Sequence, residues 1–228
     1  TNSYTGSTII SAGPVVCTKA TALGTGPLSI SSGGKATLNF TGTRTVASLT
    51  LAGVTQPAGT YGSTASPAAN KSDTYFSGTG TVTVLLIPTT TTVATHLNPA
   101  PTSAAVTFTA TVSGGTPTGS VTFYDGATAL GTSTLNGSFQ TTLTRSNLTA
   151  GTHSITAQYA GHPSYATSTS AILSQVIILS AFDAWAVANG LTLGLNNGPF
   201  DDSDHDGVSN LLEYATKMNP AVNDVAPQ

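Results

Sequence analysis

VTFTATV at Val106–Val112 and SVTFYDG at Ser120–Gly126 alternate apolar with hydroxyl-bearing side chains almost one for one. A period of two belongs to a strand with one buried face, and it turns Val106 and Phe108, then Val121 and Phe123, toward a common core. TALGTSTL (Thr128–Leu135), SFQTTLT (Ser138–Thr144), THSITAQYAG (Thr152–Gly161) and SAILSQVI (Ser170–Ile177) carry the pattern on, divided by Gly, Pro and Asn turns. About seven short alternating strands at this spacing predict a two-sheet sandwich over residues 93–178. Cys17 is the only cysteine, so no intrachain disulfide staples the sandwich. Leu143, Ile155 and Tyr159 complete its expected core.

GSVTFYDGATALGT (Gly119–Thr132) and LTAGTHSITAQYAG (Leu148–Gly161) closely resemble bacterial Ig-like repeats of cell-surface and secreted proteins, over essentially this whole region. The resemblance implies an Ig-like β-sandwich, in which Tyr159 is either a tyrosine corner or a plain core residue. At His162 the family frequently carries an acidic residue, so no metal or turn role is carried over to that position.

Upstream, PTTTT (Pro88–Thr92) reads as a stiff polar linker. Before it, short alternating segments recur between Gly-rich turns: GTGPLSI at Gly24–Ile30 is echoed by GTGTVTV at Gly78–Val84, with KATLNF and VASLTLAG between. Repeats at about twenty residues predict a solenoid, whose coils bury their inward faces only by stacking. An ordinary β-sandwich is the alternative reading. NSYTGSTIISAGPV (Asn2–Val15) resembles the autotransporter-associated β-strand, or passenger-associated transport, repeat. GVTQPAGTYG and DTYFSGTGTVTV resemble the ending that often follows that family's last repeat. The resemblance covers about the first third of the chain and implies a right-handed parallel β-helix over residues 1–87, although PVVC (Pro14–Cys17) puts a proline near the start of a strand. The first repeat reads as beginning partway through a coil, with an unpaired strand covered either by upstream coils or by another chain.

Downstream, residues 179–228 are expected to form a small helical, EF-hand-like segment. DSDHDGVSNLLE (Asp202–Glu213) gathers oxygen ligands at the spacing of a calcium loop. Asp202, Asp204 and Asp206 take the first three places, Gly207 makes the turn, and the Val208 carbonyl follows. Asn210 stands at the ninth place, directly or through a water, and Glu213 closes the loop as the bidentate ligand. The expected cofactor is calcium; Asp201 adds charge, and His205 points outward. A short helix over Ser209–Thr216 would carry Asn210 and Glu213 into the site and turn Leu211, Leu212 and Tyr214 toward the protein. SAFDAWAVANG (Ser180–Gly190) predicts a capped helix whose Phe182 and Trp185, with Phe200, pack on those residues. The stretch resembles the calcium loops of thrombospondin type 3-like and dockerin-like repeats in secreted bacterial proteins.

Charged residues make up 7% of the 228, and seven of the nine acidic ones lie after position 180. No basic stripe exists to hold phosphates, which argues against nucleic acid. VTVLLIP (Val82–Pro88) is far too short to span a bilayer. A start at Thr1 without methionine suggests a fragment or processed product. Cys17 reads as a small buried side chain, and His96, His153 and His162 as surface or satisfied residues.

These readings predict a noncatalytic structural or adhesive segment of a secreted or surface-displayed bacterial protein, stiffened by calcium near its C-terminus. Neighbouring domains of a longer chain are its expected partners. A self-assembling subunit using strand addition at the N-terminal coil is the alternative. A carbohydrate-active β-helix is a weaker one, since Asp73 is the only carboxylate of the first 87 residues and has no partner for acid–base work. Carbohydrate binding would rest on Tyr4, Tyr61, Tyr75 and Phe76, which core or turn packing explains as well.

Overall fold

The computed structural model describes residues 4–223, and the chain divides into two compact units. One runs to Thr90 and takes in Val112–Ser120 and Tyr159–Ser168; the other holds Thr91–Thr111, Val121–Gln158 and the residues from Thr169 onward.

The first unit is built on parallel pairing between strands distant in sequence. β1 (Thr8–Ile10), β3 (Leu28–Ile30) and β6 (Leu49–Leu51) lie side by side, with Thr8 opposite Leu28 and Leu28 opposite Leu49. β2 (Gly13–Cys17) pairs with β4 (Gly34–Leu38), and β4 with β10 (Phe76–Ser77). β5 (Thr43–Val46) pairs with β11 (Thr81–Val84). Alternation then sorts the side chains: Ile10, Leu28, Ile30, Ala36, Leu38, Leu49 and Val82 enter one core, while Ser29, Thr37, Thr43, Thr50 and Thr83 face outward. Neighbouring outward hydroxyls bond to each other, Thr37 to Ser77 at 2.9 Å and Thr43 to Thr83 at 2.7 Å. That self-pairing lets a nearly uncharged surface satisfy its polar groups.

The step of about twenty residues does not persist. After β6 the chain reverses at Ala52 and Gly53, both at positive φ, so β7 (Val54–Thr55) returns antiparallel on β6. β8 (Gly59–Gly62) pairs antiparallel with β11 and parallel with β9 (Asn70–Lys71). GVTQPAGTYG thus departs from the repeat, and Ala36 meets Phe76 rather than a residue twenty further on. Pro14 lies in β2, an edge strand, where its missing N–H leaves no ladder bond unmade.

The expected linker at residues 88–92 needs correction. β12 (Thr90–Thr95) begins inside it, because a run of β-branched threonines is a strong strand former. Thr89 just before it is held by its hydroxyl to the Ala166 carbonyl at 2.8 Å.

Residues 90–178 form an Ig-like β-sandwich. One sheet is β12, β14 (Val106–Ser113) and β17 (Gln140–Arg145). The other runs β13 (Ala100–Pro101), β20 (Leu173–Ile178), β18 (Gly151–Tyr159), β15 (Ser120–Asp125) and β16 (Thr128–Thr134), with β19 (Ser168–Thr169) on β18. Val106, Phe108, Val121, Phe123, Ile155 and Tyr159 are all buried, as their alternation predicts, while Leu143 is only half-buried. Tyr159 donates its hydroxyl to the Thr118 carbonyl at 2.6 Å, far from its own strand in sequence, and so makes no local tyrosine corner.

Beyond the sandwich come α1 (Ala181–Ala188) and α2 (Asn210–Thr216). Ser180 caps α1 by accepting the Asp183 N–H, and Gly190 takes the left-handed conformation beyond its end. α2 closes at Lys217, also left-handed.

Candidate metal centre

Three carboxylates converge on the loop ahead of α2: ligand oxygens of Asp202, Asp204 and Asp206 all lie within 4.8 Å of one another. The backbone between them is wound tightly by their own oxygens. Asp202 accepts the N–H of Asp206 at 3.1 Å and of Gly207 at 3.0 Å, and Asp206 accepts that of Val208 at 2.8 Å. Gly207 at positive φ permits the turn. The opposite oxygens, Oδ2 of Asp204 and Oδ2 of Asp206, are buried and accept no hydrogen bond. Glu213, from the first turn of α2, is fully buried, whereas His205 is exposed between the ligand positions.

Like charges this close repel by about 3 kcal/mol per pair at an effective dielectric constant near 20. Buried oxygens without donors add a desolvation cost. A divalent cation relieves both, and an all-oxygen donor set suits a hard one such as calcium. The residues present therefore fit that ion.

Not every residue of the expected ligand set is aimed alike. Asn210 is fully buried, but its amide donates to the carbonyls of Asn196 and Gly198, each at 3.0 Å, while its oxygen accepts the Ser203 hydroxyl at 3.1 Å. Ser203 also reaches the Asn196 carbonyl at 2.7 Å. Asn210 and Ser203 thus buckle the acidic loop to the preceding segment. Val208 is half-buried, and Asp201 lies outside the group, accepting the Gly198 N–H at 2.8 Å.

From that segment the bonding continues through Asn197, whose amide donates to Asp183 Oδ1 at 3.1 Å. The other Asp183 oxygen accepts the hydroxyls of Ser180 and of Thr102, the residue after β13. Asp183 is therefore a junction between the acidic loop, α1 and the sandwich. Its helix-capping role is readable in sequence; Thr102 and Asn197 carry no motif that would have pointed to it.

Phe182, Trp185 and Tyr214 form the expected aromatic cluster, with ring centroids 5.4–5.6 Å apart. Its other expected members stay out: Phe200 is 86% exposed, and Leu211 and Leu212 are exposed as well. On a helix the face holding Asn210, Glu213 and Tyr214 leaves the two positions between Asn210 and Glu213 turned away. Of the tyrosines and phenylalanine weighed for sugar stacking, Tyr61 and Phe76 are buried in the first unit's core and Tyr75 packs against it. Asp73 holds a turn, its two oxygens accepting the Thr64 N–H and hydroxyl at 2.8 Å, and those bonds depress its pKa. Cys17 is buried, which pushes its thiol pKa up and away from reactive thiolate.

His153, expected to be a surface or satisfied residue, is half-buried with both ring nitrogens bonded. Its Nδ1 lies 2.6 Å from Asp125 Oδ2 and its Nε2 2.8 Å from the Thr149 carbonyl. A neutral imidazole carries one N–H, so both contacts are made together only by the charged ring. Burial alone would lower the pKa; the Thr149 carbonyl and Asp125 outweigh it and raise it.

Residues 93–178 match the family model of the bacterial Ig-like domain (group 3). Among solved structures, the fibronectin(III)-like modules of Clostridium thermocellum CbhA are similar at 16% identity and a TM-score of 0.32, over 39% of this chain and 46% of that one. The match therefore spans less than half of that chain. No curated protein matches.

Proposed function

We propose, taking the bacterial Ig-like domain at residues 93–178 as the premise, that this chain is a noncatalytic structural or adhesive segment of a secreted or cell-surface bacterial protein, locked by calcium beyond that domain. Bacterial Ig-like domains are generally noncatalytic modules and are commonly carried by exported proteins. Among the described residues, no helix is long and apolar enough to cross a membrane. In this reading the parallel-paired strands of the first unit are the last coils of a β-helix, and the acidic loop is EF-hand-like, as in thrombospondin type 3-like and dockerin-like repeats.

The observation that carries the calcium reading is the buried, donor-free pair of oxygens on Asp204 and Asp206 within a three-aspartate group. Those three residues and Glu213 would hold the ion, with the Val208 carbonyl completing the set; Asn210 would act by fixing the loop. Bound calcium supplies positive charge that joins loop and helix. The chain's own part is to hold the carboxylates together through Gly207, Ser203 and Asn210, and to tie that loop to Asp183.

Calorimetric titration of calcium into the full chain, with amide exchange in calcium and in chelator, tests this. We expect saturable binding and added protection over residues 180–223. Unchanged exchange there at millimolar calcium overturns it.

A second reading draws on the edges of the first unit. Among the described residues, β1 terminates a mixed sheet and β2 a parallel one, and Ile9, Val15 and Val16 on them are exposed. Such strands accept another, either from neighbouring domains of a longer chain or from a second copy.

A further inference from the structure

Residues 93–178 contain only two formally charged side chains, Asp125 and Arg145, and both line one open cavity of about 410 Å³ together with His153. In a surface solvated almost entirely by hydroxyls, that convergence has no part in the acidic loop or the strand edges. The cavity is formed where β15 ends at Asp125, β17 ends at Arg145, and the connection after Arg145 enters β18. Its size falls within the range of small-molecule sites.

The charges are not equivalent. Asp125 is committed: one oxygen meets His153 Nδ1 at 2.6 Å and the other accepts the Ser154 N–H at 3.1 Å. Arg145 is half-buried, and among the described residues it has no carboxylate partner. Its recorded hydrogen bond is a long 3.5 Å contact from Nη1 to its neighbour Thr144's carbonyl. The guanidinium rests over Gly131, where a Cβ would come within 3.1 Å of Nη2. Glycine there leaves room for the head group. Around it stand the Asn147 amide and the half-buried side chains of Leu130 and Leu148.

We propose that this cavity binds a carboxylate carried on a hydroxylated ring, that is, a uronic acid unit of an acidic polysaccharide. Arg145 offers the fork of donors that matches a carboxylate in two bonds. Asn147 can bond ring hydroxyls in both directions, and Leu130 and Leu148 provide apolar surface for the ring's C–H face. The Asp125–His153 pair holds the wall in place, so a ligand meets a positive group without an opposing free carboxylate.

Glucuronate titrated into the full chain, followed by amide and Arg145 side-chain NMR shifts, tests the proposal. A solvent-open site of this kind is expected to saturate at about millimolar ligand. Arg145→Gln should weaken binding about tenfold or more, and Arg145→Lys should fall between, as loss of a charge-assisted bidentate contact requires. Glucose, lacking the carboxylate, and acetate, lacking the ring, should each bind more weakly than glucuronate. The proposal is overturned if glucuronate shifts do not saturate, if Arg145→Gln leaves them unchanged while the fold's other resonances stay in place, or if acetate or sulfate binds as well as glucuronate.

Discussion

At the scale of single residues, Asp204 and Asp206 separate a metal site from a solvated acidic turn, because their neutral isosteres act in opposite directions with and without the ion. Asp204→Asn removes one of three mutually repelling charges, so without metal it should stabilise the segment, by about 1–3 kcal/mol. In calcium the same change deletes a ligand and should abolish the calcium-induced rise in Tm. Melting each protein in chelator and in calcium reads both arms; a variant that still gains from calcium refutes the ligand assignment. His153 gives a second residue-scale expectation. Its folded pKa lies above the unfolded value of 6.5, so the pair with Asp125 contributes fully below pH 6.5 and is lost as pH rises through the folded pKa. Stability of the wild type should therefore decline with rising pH across that window relative to His153→Gln. Denaturant unfolding at stepped pH checks the slope, and Asp125→Asn should lower the imidazole's NMR midpoint. The carboxylates of the acidic loop were legible because oxygen ligands recur at fixed offsets. The partners that satisfy His153 were not, because they come from a strand 28 residues earlier and from a main-chain carbonyl, and neither leaves a local pattern.

At the scale of elements, α1 is joined to the rest through Asp183, which closes the Ser180 cap and also meets Asn197 and Thr102. Asp183→Ala therefore removes more than a cap. Ser180→Ala should cost about 1 kcal/mol and leave residues 192–198 protected, whereas Asp183→Ala should cost more and speed amide exchange there as well. Equal profiles for the two variants would mean that Asp183 acts on its helix alone. The caps were readable from Ser180, Asp183 and Gly190 because capping is a matter of neighbours in sequence. On α2 the ligand spacing placed Asn210 and Glu213 inward correctly, but the leucines were misread: seven residues are too few for a periodicity to stand out, and the helix turns Leu211 and Leu212 outward. Leu212→Gln should accordingly change stability by no more than about 0.5 kcal/mol, against about 1–3 kcal/mol for Trp185→Ala, whose half-buried ring contacts both Phe182 and Tyr214. The same limit applied upstream. Alternation identified the strands, and GVTQPAGTYG read as the ending after the last repeat, but nothing in its local pattern showed that the chain reverses at Ala52 and Gly53 to run β7 antiparallel on β6.

At the scale of the whole molecule, the first unit leaves β1 at the edge of a mixed sheet and β2 at the edge of a parallel one among the described residues. Every second residue of such a strand has its N–H and C=O directed away from the partner already in place, and Ile9, Val15 and Val16 add exposed apolar surface. With 7% charged residues and a formal net charge of −3, little electrostatic repulsion opposes contact between copies. If these edges pair with a second copy, the sedimentation coefficient should rise with protein concentration and respond weakly to salt, since the bonds are main-chain and apolar. Val16→Lys, which puts a charge on the edge without touching the buried Cys17 beside it, should suppress the rise while leaving the melting temperature of the monomer in place. Chelator should have no effect on it, because the acidic loop belongs to the other unit. A chain that stays monomeric at every concentration overturns self-pairing at these edges, and association abolished by chelator would instead move the contact to the calcium loop.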